Sequence, residues 1–120
     1  MDYNEENKPF HFGPEVECYL ALESTFKAKL RKELESMFPG CVILKNDAEL
    51  QGGIPDMLIL WRTKWAMLEV KKKPPAASDY EPNQEWWIQT LDDMSFAACI
   101  FPENKEEVID ALQQAFWTSR

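Results

Sequence analysis

The chain of 120 residues has one histidine, His11, and three cysteines, Cys18, Cys41 and Cys99, and this scarcity excludes several classes of protein. Zinc clusters, haem attachment sites and disulfide frameworks need several such residues at short spacings, so we expect no zinc and no organic cofactor. The longest apolar runs, residues 57–61 and 96–101, are far shorter than the roughly 18 residues that cross a bilayer. The acidic N-terminus also lacks the basic start and apolar centre of a signal peptide. We therefore expect a reduced, cytoplasmic protein that does not enter a membrane.

Basic residues are also few, because 13 lysines and arginines stand against 21 acids and give a net charge of −8. This balance argues against a nucleic-acid partner only if the charge is spread evenly. It is not: residues 1–23 carry −5, residues 24–78 carry +4 and residues 79–120 carry −7. A polyanion could therefore bind, but only at the basic middle segment.

Hydrophobic residues make up 45% of the chain, enough for one modest core, and their spacing predicts an α/β domain. Residues 1–22 have no sustained period and are interpreted as an acidic arm, with residues 23–120 as the single domain. A period of three to four predicts a helix that begins at Glu23, with Ser24 or Thr25 as its cap, and ends at Pro39-Gly40. Strands are predicted at 41–44, 56–61, 65–71 and 96–101, and further helices from Asn83 to 94 and over 103–117. The predicted order is α-β-β-β-α-β-α.

Two of the predicted strands, 56–61 and 65–71, are almost continuously apolar instead of alternating. Such strands are typical of a sheet that is buried on both faces. We therefore expect a sheet covered by helices on both faces.

Three charged residues, Asp56, Glu69 and Lys71, lie in this otherwise apolar stretch. If the two strands form a hairpin whose turn is centred between Arg62 and Thr63, Asp56 lies directly opposite Glu69. If the turn is centred on Thr63, Asp56 faces Val70 instead. In either register the two carboxylates lie roughly 5 Å apart on adjacent strands, and strand alternation puts Glu69 and Lys71 on one face.

Two carboxylates so close together repel each other, and ionised groups beside an apolar sheet lose hydration. A divalent cation removes both difficulties, and oxygen ligands without histidine or cysteine favour Mg²⁺, with Mn²⁺ as a substitute. The backbone carbonyl of Val70 could supply a third oxygen. Lys71 would then stand where it can orient a water molecule or neutralise charge on a phosphate. The group is typical of phosphodiester hydrolysis.

Pro55-Asp56 followed by Glu69-Val70-Lys71 resembles the signature of the PD-(D/E)XK nuclease superfamily. Glu23 in the first helix, Gly53 before Pro55-Asp56, and Gln84 with Trp87 in the helix after the lysine strengthen the resemblance. Together they resemble the VRR-NUC branch and its small phage members, among them Holliday-junction resolvases. The resemblance covers about two thirds of the chain and implies the restriction-endonuclease-like fold with a mixed sheet.

The resemblance also implies a role for each residue. Asp56 and Glu69 become metal ligands, Glu23 completes the carboxylate set, and Lys71 becomes the catalytic lysine. Gln84 would position the lysine, the water or the phosphate. If the helix starts earlier, Glu15 or Glu17 could take the place of Glu23.

The substrate contacts follow from position. Lys72 and Lys73, adjacent to the expected metal, are interpreted as phosphate contacts, together with the loop through Tyr80. The lysines and arginine at 27, 29, 31 and 32 are interpreted as the solvated face of the first helix.

The site residues and the resemblance thus predict a Mg²⁺-dependent endonuclease that hydrolyses DNA. The resemblance further implies selection of branched, flap or Holliday-junction structures, and a resolvase would act as a homodimer, since symmetric cutting of two strands needs twofold symmetry. Two alternatives stay open. One is a nicking or replication-associated nuclease subunit of a larger complex. The other is a non-catalytic acidic protein that mimics DNA and inhibits a nuclease.

Overall fold

Three helices and a four-stranded sheet make up the computed structural model, which describes residues 14–47, 52–76 and 83–118 and the side chains of the first helix from Thr25 onward. The elements are α1 (Pro14–Met37), β1 (Val42–Lys45), β2 (Met57–Trp61), β3 (Lys64–Val70), α2 (Gln84–Met94), β4 (Ala97–Ile100) and α3 (Lys105–Trp117). The predicted α/β class is confirmed. Among the described helices, none has the length and apolar character needed to cross a membrane.

Helix α1 begins at Pro14, and the predicted start at Glu23 is therefore wrong. A proline suits the first helical position because the helix does not use its missing N–H there, and Glu15 and Glu17 follow where the helix dipole favours acids. Ser24 and Thr25, predicted as caps, lie inside the helix. Residues 14–22 of the predicted arm are thus helical, and residues 1–13 lie outside the described part of the chain.

The sheet has the strand order β1-β2-β3-β4. The pairs β1–β2 and β2–β3 are antiparallel, whereas β3 and β4 are parallel and connected through α2. The predicted mixed sheet is therefore present. Trp61 pairs with Lys64, so only Arg62 and Thr63 connect β2 to β3.

The main core lies on one face of the sheet. Alternate residues of β2 and β3 point into it and meet apolar side chains of α1 and α3. Trp61 also donates a hydrogen bond from its ring nitrogen to the Pro39 carbonyl, 2.9 Å away, which fixes the end of α1 against β2. The buried core comprises Leu30, Leu34, Phe38, Ile43, Met57, Ile59, Trp61, Ala66, Leu68, Val70, Ile100, Val108, Ile109, Leu112 and Phe116.

The opposite face of the sheet is covered over only part of its width. Helix α2 packs against β4 and β3 and contributes nothing to the main core. Over β1 and β2, Val42, Leu44 and Leu60 remain 48%, 47% and 37% exposed. The expectation that helices cover both faces is therefore right for β3 and β4 and wrong for β1 and β2, because α2 lies against β4 and β3.

Candidate active site

The register of the β2–β3 hairpin brings Asp56 and Glu69 together. Met57 pairs with Leu68, so the next position beyond the ladder places Asp56 opposite Glu69. This is the first of the two registers that the sequence left open. The two-residue turn selects it, because a turn centred on Thr63 would shift every pair by one.

Asp56 and Glu69 each accept a hydrogen bond from the backbone of the other strand end. The Asp56 N–H donates to Glu69 Oε1 at 3.2 Å. The Val70 N–H donates to Asp56 Oδ1, also at 3.2 Å. These two reciprocal bonds, called here the carboxylate clasp, continue the strand pairing by one step with side chains. They hold both carboxylates at one end of the hairpin.

Asn46, which follows β1, holds the segment that carries Asp56. Its side-chain amide donates to the Pro55 carbonyl at 2.8 Å, and its backbone N–H donates to the Asp56 carbonyl at 2.8 Å. Gly53 turns the chain into this segment with φ +85°, a left-handed conformation that glycine adopts without strain. Asn46 was not among the residues that the sequence singled out, since nothing in the sequence alone indicates which segment it contacts.

Glu69 is buried, with 8% of its surface exposed. Burial raises the pKa of this carboxyl, and the neighbouring Asp56 raises it further. Lys71 opposes this shift, since its Nζ lies 3.3 Å from Glu69 Oε2. The predicted grouping of Asp56, Glu69 and Lys71 is present in the structure, and it includes one carboxylate that is costly to ionise.

Lys27 of α1 is an additional member of this group. Its Nζ lies 2.8 Å from Asp56 Oδ2. From the sequence, Lys27 was expected on the solvated face of the first helix, whereas in the structure it points toward the hairpin. A signal was available, because Lys27 follows the candidate ligand Glu23 by four residues and positions four apart share a helix face.

The other predicted site residues are placed less completely. Glu23 lies within α1, but its side chain is outside the described residues, as is all of Tyr80. Lys72 and Lys73 follow β3 directly, Lys72 half-buried and Lys73 exposed. Gln84 begins α2 and is only 2% exposed, so it is not a surface residue. A buried amide must be hydrogen-bonded to be tolerated, and no buried side-chain nitrogen or oxygen of the described residues lacks a partner.

The donor set suits a hard divalent cation, though it is incomplete in the part of the chain that is described. Asp56 and Glu69 offer carboxylate oxygens, the ligand type that Mg²⁺ and Mn²⁺ prefer. Within residues 14–47, 52–76 and 83–118, no three His, Cys, Asp or Glu side chains come together as a metal-binding group. A cation between the two acids would relieve the repulsion that helps to raise the pKa of Glu69.

The comparisons with known proteins do not place the chain in a family. No protein-family model matches it. No curated protein and no solved structure shows significant similarity to it. The functional interpretation therefore rests on the residues of the site and on the motif resemblance.

Proposed function

We propose that this protein is a metal-dependent nuclease of the PD-(D/E)XK type that hydrolyses phosphodiester bonds in DNA. The observation that carries the proposal is the carboxylate clasp of Asp56 and Glu69, with Lys71 Nζ 3.3 Å from Glu69. Two neighbouring carboxylates repel each other, and here each of them also accepts a backbone N–H and pairs with a lysine ammonium group. The arrangement is useful when a cation and a phosphate are to be bound.

Asp56, Glu69 and the Val70 carbonyl are the proposed holders of Mg²⁺ or Mn²⁺. In a strand, the N–H and C=O of a residue point toward the same neighbour. Since the Val70 N–H reaches Asp56, the Val70 carbonyl faces the same side. Position 23 of α1 lies one turn before Lys27, which contacts Asp56, and this supports Glu23 as a further ligand. A bound divalent ion supplies Lewis acidity and lowers the pKa of coordinated water.

Lys71 is the proposed catalytic lysine. It carries no ligand oxygen, its side chain is 22% exposed, and its ammonium nitrogen lies 3.3 Å from Glu69 Oε2. There it neutralises the negative charge that develops on the phosphate and orients the attacking water. Gln84, buried at the start of the next helix, is the proposed positioning residue for this machinery.

Selection of branched, flap or Holliday-junction DNA and assembly into a homodimer are further parts of the proposal, and both rest on the resemblance. A resolvase cuts two strands symmetrically, which requires two copies of the site related by a twofold axis. A nicking or replication-associated subunit would use the same chemistry with a different partner.

A non-catalytic mimic of DNA is the alternative that the net charge of −8 favours. A mimic presents its acids at the surface in imitation of phosphates. Here Glu69 is buried, and Lys27 and Lys71 pair with the two acids of the site. These features support the nuclease over the mimic.

The test is cleavage of single-stranded, duplex, flap and four-way-junction DNA, with RNA in parallel, in Mg²⁺ and in EDTA. We expect cleavage in Mg²⁺ only, and its loss in Asp56→Asn and in Glu69→Gln. Glu103→Gln, which removes an exposed acid outside the site, is the matched control and should cleave normally. Wild-type cleavage by both site variants, or no cleavage of any substrate, would overturn the proposal.

A further inference from the structure

A cleft of about 320 Å³ opens beside the carboxylate clasp, between α1 and the ends of β1 and β2 that lie nearest the clasp. Its size is at the lower end of the range for ligand sites in proteins. One end of the cleft is Asp56, so it is continuous with the candidate active site. The lining residues are Lys27, Ala28, Arg31, Ile43, Leu44, Lys45, Asp56 and Met57.

The cleft is cationic in a chain that is strongly acidic overall. Lys27, Arg31 and Lys45 line it against the single acid Asp56. The walls between them are apolar side chains, and low-dielectric walls concentrate the field of the charges that they separate. The surface that attracts an anion therefore leads directly to the site that would cleave it.

Arg31 is fixed in orientation within this cleft. Its Nη2 donates to the Ile43 carbonyl of β1 at 2.8 Å, and its Nε lies 3.7 Å from Glu35 Oε1. A guanidinium has five N–H donors; the Ile43 carbonyl engages one of them, and the Glu35 carboxylate contributes an ion pair beyond hydrogen-bond length. A planar group held in this way is suited to phosphate, which it can bind through paired hydrogen bonds.

We propose that this cleft binds the phosphodiester backbone of the nucleic-acid strand beside the point of cleavage, with Arg31 and Lys45 as its phosphate contacts. The inference rests on the proposed function and extends it, because it assigns the substrate path to α1 and β1. From the sequence, that path was expected at Lys72, Lys73 and Tyr80 instead. A nucleic-acid strand that passes Asp56 has phosphates on both sides of this point. The cleft accommodates the phosphates on one of the two sides.

The test compares two double variants that remove equal charge from the same region. Arg31→Gln with Lys45→Gln neutralises the cleft. Lys29→Gln with Lys32→Gln neutralises two exposed lysines of α1 that do not line it. Binding of labelled duplex and four-way-junction DNA is measured by fluorescence anisotropy in EDTA over a series of salt concentrations, and thermal melting confirms that each variant is folded.

We expect the cleft variant to bind about tenfold more weakly and its salt slope to fall by about two, since two phosphate contacts are lost. The control should stay within about twofold of wild type. If the cleft variant does not fold, Lys45→Gln alone, at an exposed strand end, should lower the slope by about one.

Equal binding by the two folded double variants would overturn the inference, and so would an unchanged slope in Lys45→Gln. Inorganic phosphate is tested as a competitor in the same assay. If it displaces the labelled DNA as effectively as an unlabelled oligonucleotide does, the cleft is a site for a free anion, and the inference is overturned. Failure of the proposed function is separate: it shows as absence of cleavage by the wild-type protein. Normal cleavage with normal binding by the cleft variant would reject this inference alone.

Discussion

Glu69 is the residue at which the fold and the proposed chemistry conflict. Its burial and the proximity of Asp56 raise its pKa, although Lys71 and the Asp56 N–H favour the charged form. Because this pKa is higher in the folded than in the unfolded state, the folded state binds more protons at any pH between the two pKa values. The free energy of unfolding therefore falls as the pH rises through that interval.

We predict that Glu69→Gln melts a few degrees above wild type at neutral pH in metal-free buffer, because glutamine carries no charge to be buried. The difference should shrink as the pH falls through the raised pKa and vanish below the range in which an exposed glutamate titrates. Differential scanning fluorimetry across pH in EDTA measures it, with Glu103→Gln as the control. Mg²⁺ should then stabilise wild type more than the variant. A lower melting temperature for Glu69→Gln at every pH would contradict this account.

A second prediction at the level of single residues concerns Lys71. Lys71→Ala should lower the rate of cleavage by about a hundredfold or more, since an ammonium that acts on the phosphate is lost. Mn²⁺ affinity, measured by calorimetry, should stay within a few-fold of wild type, because Lys71 offers no ligand oxygen. Lys105→Ala, which breaks a 2.7 Å ion pair with Glu33 outside the site, serves as the control. Loss of Mn²⁺ binding together with activity would show that Lys71 only supports the site's structure.

At the scale of elements, the β2–β3 hairpin sets the alignment on which the site depends. Its two-residue turn contains Arg62 with φ +59°, a left-handed conformation that costs an L-residue roughly 1–2 kcal/mol. Arg62 stacks on the ring of Trp61, with its guanidinium carbon 4.2 Å from the ring centroid. A contact of this kind offsets part of the backbone cost.

We predict that Arg62→Gly is more stable than Arg62→Ala by about 1 kcal/mol, because both lose the stacking contact and only glycine relieves the backbone. Urea denaturation monitored by tryptophan fluorescence measures the difference. Thr63 is the control position: it lacks a positive φ, so alanine should be the more stable residue there. If the glycine and alanine variants have the same order of stability at positions 62 and 63, the left-handed conformation of Arg62 does not determine the stability of the turn.

The helices were largely predictable because their apolar residues recur every three to four positions, and the strands because their short apolar runs are bounded by turn-forming residues. The register was not, because it depends on whether Arg62 and Thr63 alone form the turn, and neither is a typical hairpin-turn residue. The start of α1 was missed because residues 1–22 show no sustained period, although a proline such as Pro14 is favoured at a first helical position.

Three residues of the site, Asp56, Glu69 and Lys71, could be predicted from the sequence, since they interrupt an apolar stretch. Lys27 and Arg31 were not, because their roles depend on how α1 lies against β1 and β2, which is a tertiary relation. The exposed face over β1 and β2 was missed for a similar reason. Continuous apolar strands indicate burial without showing how far a covering helix extends.

For the whole molecule, the distribution of charge determines where a polyanion can lie. The acidic residues 79–120 and the acidic N-terminal residues flank a basic middle that contains both the cleft and Lys71 to Lys73. Like charge repels phosphate, so the acidic ends should confine DNA to the basic surface.

We predict that removal of residues 1–13 leaves DNA binding unchanged or tightens it, because the deletion removes Asp2, Glu5 and Glu6 against one lysine, Lys8. The cut is placed before Pro14 to spare α1. Anisotropy titrations at several salt concentrations measure the effect. Removal of residues 1–22, which also deletes the start of α1, should lower the melting temperature. Loss of binding in a folded 14–120 protein would identify the N-terminal segment as a recognition element.

The carboxylate clasp divides the oxygens of each acid between two tasks. Asp56 and Glu69 each accept a backbone amide with one oxygen and an ammonium with the other, from Lys27 and Lys71 respectively. The site therefore carries its own counterions, two positive for two negative. If a divalent ion binds here as proposed, it would displace these two ammonium groups, which could then contact the substrate, while the hydrogen bonds from the two backbone amides would stay in place. Deuterium exchange at the Asp56 and Val70 amides should accordingly remain slow both without metal and with it.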